Sequence, residues 1–89
     1  MPVDSSALHL PSQPGGYLFK TEGGRVLYIG KATSLADRVR AYFAKNPDRE
    51  MIPRLVAEAD RVDCIVTRSP SEALILERQL IREHKPNYN

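Results

Sequence analysis

The sequence predicts a small α+β domain in which a three-stranded, mainly antiparallel sheet is flanked by helices. Three observations lead there. Two short apolar runs, around Tyr17 and Tyr28, flank a linker that carries Gly23-Gly24, the signature of a hairpin. Ser69-Pro70-Ser71-Glu72 supplies an N-cap, a proline at the first helical position and a capping-box acid. The remaining apolar patterns complete the order strand, strand, helix, helix, strand, helix, which suits one sheet covered by helices.

Taken in order, residues 1–14 hold Pro2, Pro11 and Pro14 among serines and read as an extended lead-in, with Leu8 and Leu10 able to pin it to the core. The first strand spans residues 16–20 and the second 25–29, antiparallel, joined by Thr21-Glu22-Gly23-Gly24. Ser34 reads as an N-cap, with Asp37 three residues on as the reciprocal acid. That helix runs to about Lys45, where Asn46-Pro47 stops it, and Leu35, Val39 and Phe43 form its apolar stripe. Arg38 and Tyr42, also four apart, flank the stripe and can point together at the hairpin. A second helix covers residues 49–59, with Ile52, Leu55, Val56 and Ala59 on its apolar face. Pro53 must then lie in the first turn, or it distorts the helix. A third strand covers residues 62–67, and the last helix runs to about His84, ended by Pro86.

Eighty-nine residues make one domain with a small core. The net charge of +2 permits nucleic-acid binding without compelling it. Nine of the 13 basic residues are arginines, the side chain suited to bidentate phosphate contacts. Cys64 is the single cysteine and lies in an apolar strand-like run, so no disulfide forms within the chain and the thiol reads as buried and inert. The start, Met1-Pro2-Val3-Asp4, has neither a basic region nor an apolar core. No apolar run approaches the ~18 residues of a membrane span. The expected setting is cytoplasmic.

The last helix holds an anomaly. At about 100° per residue, Ala73, Leu74, Leu76, Leu80 and Ile81 fall within an arc of roughly 160°, and Glu77 sits near its middle. A carboxylate there is costly unless it is protonated, paired or ligated. Two readings stand: an ion pair with a buried arginine, or a metal ligand or catalytic carboxylate at the rim of the core. His84, two turns on, reads as a cap or packing group.

Singly, Tyr17 and Tyr28 are ordinary strand tyrosines, Lys31 a solvated lysine and Arg38 a surface charge. Jointly, two tyrosines on paired strands, Lys31 directly after the second, Arg38 one turn into a helix and a misplaced Glu77 form a set of hydrogen-bond donors and cations. Such a set suits a phosphodiester better than an acyl group or a redox centre.

This constellation resembles the GIY-YIG nuclease family and, within it, the N-terminal domain of the UvrC excision-repair branch. The carriers are Leu10-Pro11 with Pro14-Gly15-Gly16-Tyr17, then Val26-Leu27-Tyr28-Ile29-Gly30-Lys31-Ala32, then Leu35 and Arg38-Val39-Arg40-Ala41-Tyr42-Phe43. Further on come Ile65-Val66-Thr67, Glu72-Ala73-Leu74-Ile75-Leu76-Glu77, Leu80-Ile81 and Lys85-Pro86-Asn87-Tyr88-Asn89. The closing segment sets this branch apart from others. Gly16 departs from the isoleucine or valine usual there, which predicts a looser first strand.

The resemblance implies the GIY-YIG fold over a single domain, residues 1–89, read as the excised N-terminal fragment of a longer chain. It implies catalytic roles for Tyr17, Tyr28, Lys31, Arg38, Tyr42 and Asn89, and a metal-ligand role for Glu77 toward Mg²⁺ or Mn²⁺. The implied reaction is hydrolysis of one strand of damaged double-stranded DNA, 3′ to a lesion marked by UvrB, and the isolated domain is expected to be monomeric. On that reading Arg38 stabilises transition-state charge, and a tyrosine, first Tyr28, orients or deprotonates the attacking water. Free tyrosine has a pKa near 10, so a cation or relay must assist, and Tyr17 and Lys31 are the other candidates for the base. Competing readings are a non-catalytic module that positions a nuclease elsewhere, which loss of Arg38 or Glu77 would favour, and a freestanding nuclease, against which the Lys85–Asn89 ending speaks.

Overall fold

A central strand built almost wholly of buried residues organises the computed structural model, which describes residues 10–43 and 51–89. The elements are β1 (Gly15–Lys20), β2 (Val26–Ala32), α1 (Leu35–Ala41), α2 (Met51–Glu58), β3 (Arg61–Val66) and α3 (Pro70–His84). The sheet order is β2-β1-β3, antiparallel throughout. Alternation along β1 sends Tyr17 and Phe19 to one face and Leu18 to the other. Tyr17 and Phe19 join Tyr28 with Leu35, Val39 and Tyr42 from the α1 segment and Leu55 and Ala59 from the α2 segment. Leu18, Val26 and Ile29 pack with Leu80 and Ile81 of α3. Leu35, Val39 and Leu55 are fully buried, each contributing about 1.5–3 kcal/mol.

The hairpin turns at Gly24, whose φ of 90° favours glycine, and closes with Gly24 N–H donating to Thr21 C=O at 2.9 Å. β2 continues three residues past the expected end, because Gly15 and Gly16 pair with Ala32 and Lys31. These glycines of β1 have low β-propensity of their own; the ladders to β2 and β3 carry the strand through them. β3 begins and ends one residue early. Arg61 pairs with Lys20, and Thr67 N–H donates to Pro14 C=O at 2.9 Å, one step beyond the last pair, Gly15 with Val66.

α1 stops at Ala41 rather than near Lys45. Tyr42 and Phe43 donate to the carbonyls three residues back, Val39 and Arg40, at 3.1 and 3.0 Å, the tightened turn that ends many helices. Lys45 and the expected Asn46-Pro47 stop lie outside the described residues, as do Leu8 and the expected α2 start at Arg49. Pro53 is the third residue of α2 as described, Met51–Glu58, a place in the helix where proline is tolerated. Ser69 caps α3, its hydroxyl accepting from Glu72 N–H at 3.1 Å. The lead-in holds the start of α1, with Gln13 and Pro11 carbonyls accepting from Leu35 and Ala36 N–H at 3.0 and 2.9 Å. Cys64 is half-buried rather than buried, and desolvation, followed by the neighbouring Asp63 charge, pushes its thiol pKa up, which keeps it unreactive.

Candidate active site

The register of the hairpin builds the site. Tyr17 pairs with Gly30 across the β1–β2 ladder. A Cβ at Gly30 would collide with the Tyr17 ring and hydroxyl, so glycine is what lets that ring lie over β2. The Tyr17 and Tyr42 hydroxyl oxygens are 2.6 Å apart. The Tyr28 ring lies 6.3 Å from that of Tyr17 and 6.1 Å from that of Tyr42, centroid to centroid. Three phenols from two strands and a helix end thus share one buried cluster. The Arg38 guanidinium, one turn back on α1, lies 5.7 Å from the Tyr42 ring centroid.

Electrostatics set two neutral phenols, Tyr17 and Tyr42, beside a fixed cation. Burial raises the Tyr17 pKa, against hydrogen bonds from Tyr42 and Arg38 that pull it down. Burial also raises the Tyr42 pKa, and the neighbouring Tyr17 and Tyr28 push it the same way. The Arg38 pKa rises because its hydrogen bond to Tyr17 favours the charged form. Tyr17 and Tyr42 therefore stay protonated at neutral pH while Arg38 stays charged.

Beside the cluster lies an open hollow of about 470 Å³, lined among others by Lys31, Thr33, Ser34, Asp37, Arg38 and Pro70. Lys31 is exposed at the end of β2, so both expected cations face one space large enough for part of a nucleotide. Tyr17, Tyr28, Tyr42 and Arg38 are brought together, and Lys31 and Arg38 share the hollow.

Glu77 and Asn89 are placed differently. Glu77 is half-buried on α3, between Leu76, which fills the space above Gly16, and Leu80, which packs on the sheet. Ile75, outside the apolar arc, is 66% exposed, so the expected orientation of the helix holds. No side-chain hydrogen bond or ion pair joins Glu77 to another described residue, and the buried-arginine pairing is not formed among them. Nor do the described residues hold a cluster of three or more His, Cys, Asp or Glu able to bind a metal. A half-buried carboxylate with no cation paired to it among the described residues fits a Mg²⁺-type ion, which keeps most of its waters and takes one or two carboxylates.

Asn89 does not join the phenols. Its side-chain oxygen accepts from Ile29 N–H at 2.8 Å and its amide donates to Ile29 C=O at 2.9 Å. Tyr88 N–H donates to Leu27 C=O at 3.0 Å, and the Tyr88 hydroxyl to Glu58 at 2.9 Å. The closing segment pairs along the outer edge of β2, anchoring the residues on both sides of Tyr28. No residue pattern in the sequence signals this.

The expected looseness at Gly16 is not seen. It is buried and paired to both neighbours, Lys31 and Ile65, and a Cβ there would lie 3.1 Å from Leu76 Cδ2. Leu76 supplies the bulk the glycine lacks.

The UvrC-like GIY-YIG domain model matches residues 13–89. UvrABC system protein C of Protochlamydia amoebophila is 52% identical over 80 residues, which are 89% of this chain and 13% of that protein. The Geobacter metallireducens protein of the same name is 51% identical over 88 residues, 97% of this chain and 14% of that one. The chain thus spans about 13% of the length of such relatives. The crystal structure of the GIY-YIG N-terminal endonuclease domain of UvrC from Thermotoga maritima, bound to its catalytic magnesium, superposes with a TM-score of 0.83. It is 44% identical and covers 92% of this chain and 89% of that one. Point mutants of that domain, three tyrosine-to-phenylalanine and one asparagine-to-alanine, match equally well, each bound to the cation. Sheet order, tyrosine cluster and closing segment therefore have one explanation: the chain belongs to the UvrC-like GIY-YIG domain family.

Proposed function

We propose that this chain is the N-terminal nuclease domain of a longer cytoplasmic UvrC-type protein, and that it makes the 3′ incision in damaged double-stranded DNA loaded with UvrB. The observation that carries the reading is the Tyr17–Tyr42–Tyr28 cluster with Arg38 at its border, because Arg38 also lines the hollow that Lys31 shares. Arg38 and Lys31 hold phosphate oxygens, and Arg38 meets the charge added in the transition state. Tyr28 orients or deprotonates the attacking water. Burial holds the proton on Tyr17, which makes it a poor base and a good hydrogen-bond relay, and leaves Lys31 as the alternative. Asn89 acts through the backbone of β2, fixing the strand that carries Tyr28. A divalent cation at Glu77, Mg²⁺ or Mn²⁺, would supply charge neutralisation at the phosphate and leaving oxygen.

The test is incision of a lesion-bearing duplex by the full protein with UvrB. A nick on the 3′ side that requires Mg²⁺ is expected; a nick that persists in excess EDTA, or none with Mg²⁺, overturns the reading. Within that assay, Tyr28→Phe removes one hydroxyl and keeps the packed ring. A group used chiefly in the transition state affects turnover more than affinity, so a single-turnover loss of at least about tenfold is expected. The Kd for the UvrB–DNA complex should move less than about threefold. A loss that falls on Kd alone makes Tyr28 a binding residue.

A further inference from the structure

We infer that Asp37 is an electrostatic brake on the nucleic-acid hollow, lowering the grip of this domain on the DNA backbone. The inference rests on the phosphate-binding reading of that hollow. Three charged side chains line it: Lys31, Arg38 and Asp37. Asp37 is exposed and has no ion pair with a described residue. The capping box expected at the start of α1 is only half made. The Ser34 hydroxyl accepts from the backbone N–H of Asp37 at 3.4 Å, but among the described residues the Asp37 carboxylate returns no bond to Ser34 N–H. The carboxylate is thus left in the cationic hollow, where its charge offsets that of one of the two cations. An anion beside a phosphate site repels every backbone phosphate that enters, whatever the base sequence. The domain itself carries a net charge of only +2, a weak overall attraction for DNA. Capture of DNA then depends on contacts supplied from outside the hollow, which keeps the site from closing on undamaged duplex.

The test is equilibrium binding of a short fluorescent duplex to this chain in EDTA, by anisotropy, from 50 to 200 mM salt. Asp37→Asn keeps the cap, because Ser34 accepts from the backbone. It should tighten binding about three- to tenfold at 50 mM salt, with the gain shrinking as salt rises. Lys31→Ala should weaken binding at least about threefold. Glu83→Gln, an exposed acid outside the hollow, should change it less than about twofold. Unchanged or weaker binding by Asp37→Asn, with Lys31→Ala weakened, overturns the brake and leaves the phosphate reading standing. If Lys31→Ala binds like the native chain, the phosphate reading fails and the brake with it. Equal tightening by Glu83→Gln shows an effect of overall charge and also overturns the proposal, as does an Asp37→Asn chain that fails to bind.

Discussion

Arg38→Ala is expected to lower the single-turnover rate of incision about 10²- to 10³-fold, the usual cost of removing one preorganised transition-state contact. The fold should survive. Arg38 is an exposed residue of α1, whose burial is carried by Leu35, Ala36 and Val39. Its loss does not orphan a buried hydroxyl either, because Tyr17 keeps Tyr42 as a partner at 2.6 Å. What goes with the side chain is a cation over the Tyr42 ring, a contact worth about 0.5–1 kcal/mol at an exposed site. The same substitution removes one of the two hydrogen bonds that pull the Tyr17 pKa down, so that phenol becomes still harder to ionise. Arg38→Lys should recover part of the rate, since it restores the charge without the planar fork. Thermal melting of both variants within a few degrees of native, alongside the rate loss, separates chemistry from stability. Near-normal incision by Arg38→Ala removes it from the mechanism.

What the sequence made legible here was local. Ser69-Pro70-Ser71-Glu72 started α3 where its capping chemistry placed it, and Gly23-Gly24 turned the hairpin, because both signals act within four residues. The core arc of α3 was legible for the same reason: one period orders Ala73, Leu76, Leu80 and Ile81, and Ile75 falls outside it. Features set by distant pairing were not. β2 runs through Gly30-Lys31-Ala32 only because Tyr17, Gly16 and Gly15 lie opposite, and nothing within that tripeptide says strand. The central place of β1 depends on β3, more than 40 residues later.

The candidate site shows the same division. The motif pattern brought Tyr17, Tyr28, Arg38 and Tyr42 into view, and the fold gathers them. Asn89 and Tyr88 were visible as motif residues, but their pairing to the edge of β2 is a matter of backbone geometry. The compensation of Gly16 by Leu76 is likewise a packing fact that joins two elements 60 positions apart.

Glu77→Ala should abolish metal binding and incision together while costing the fold little. The carboxylate lies half-buried in an otherwise apolar arc, with no ion pair to a described residue. A charge in that position is unfavourable for folding unless a cation sits beside it, so removing it in the absence of metal should leave the melting temperature unchanged or slightly raised. Mg²⁺ should stabilise the native chain, by about 1.4 kcal/mol at ten times its Kd, and should not stabilise the variant. Glu77→Gln keeps the volume and removes the charge, so it should behave like alanine in metal titration and like the native chain in packing. Because a single protein carboxylate holds a largely hydrated ion weakly, native activity should rise with Mg²⁺ up to millimolar concentrations. If instead Glu77→Ala unfolds while metal-induced stabilisation persists in Glu77→Gln, the residue is a structural partner and the metal is held elsewhere.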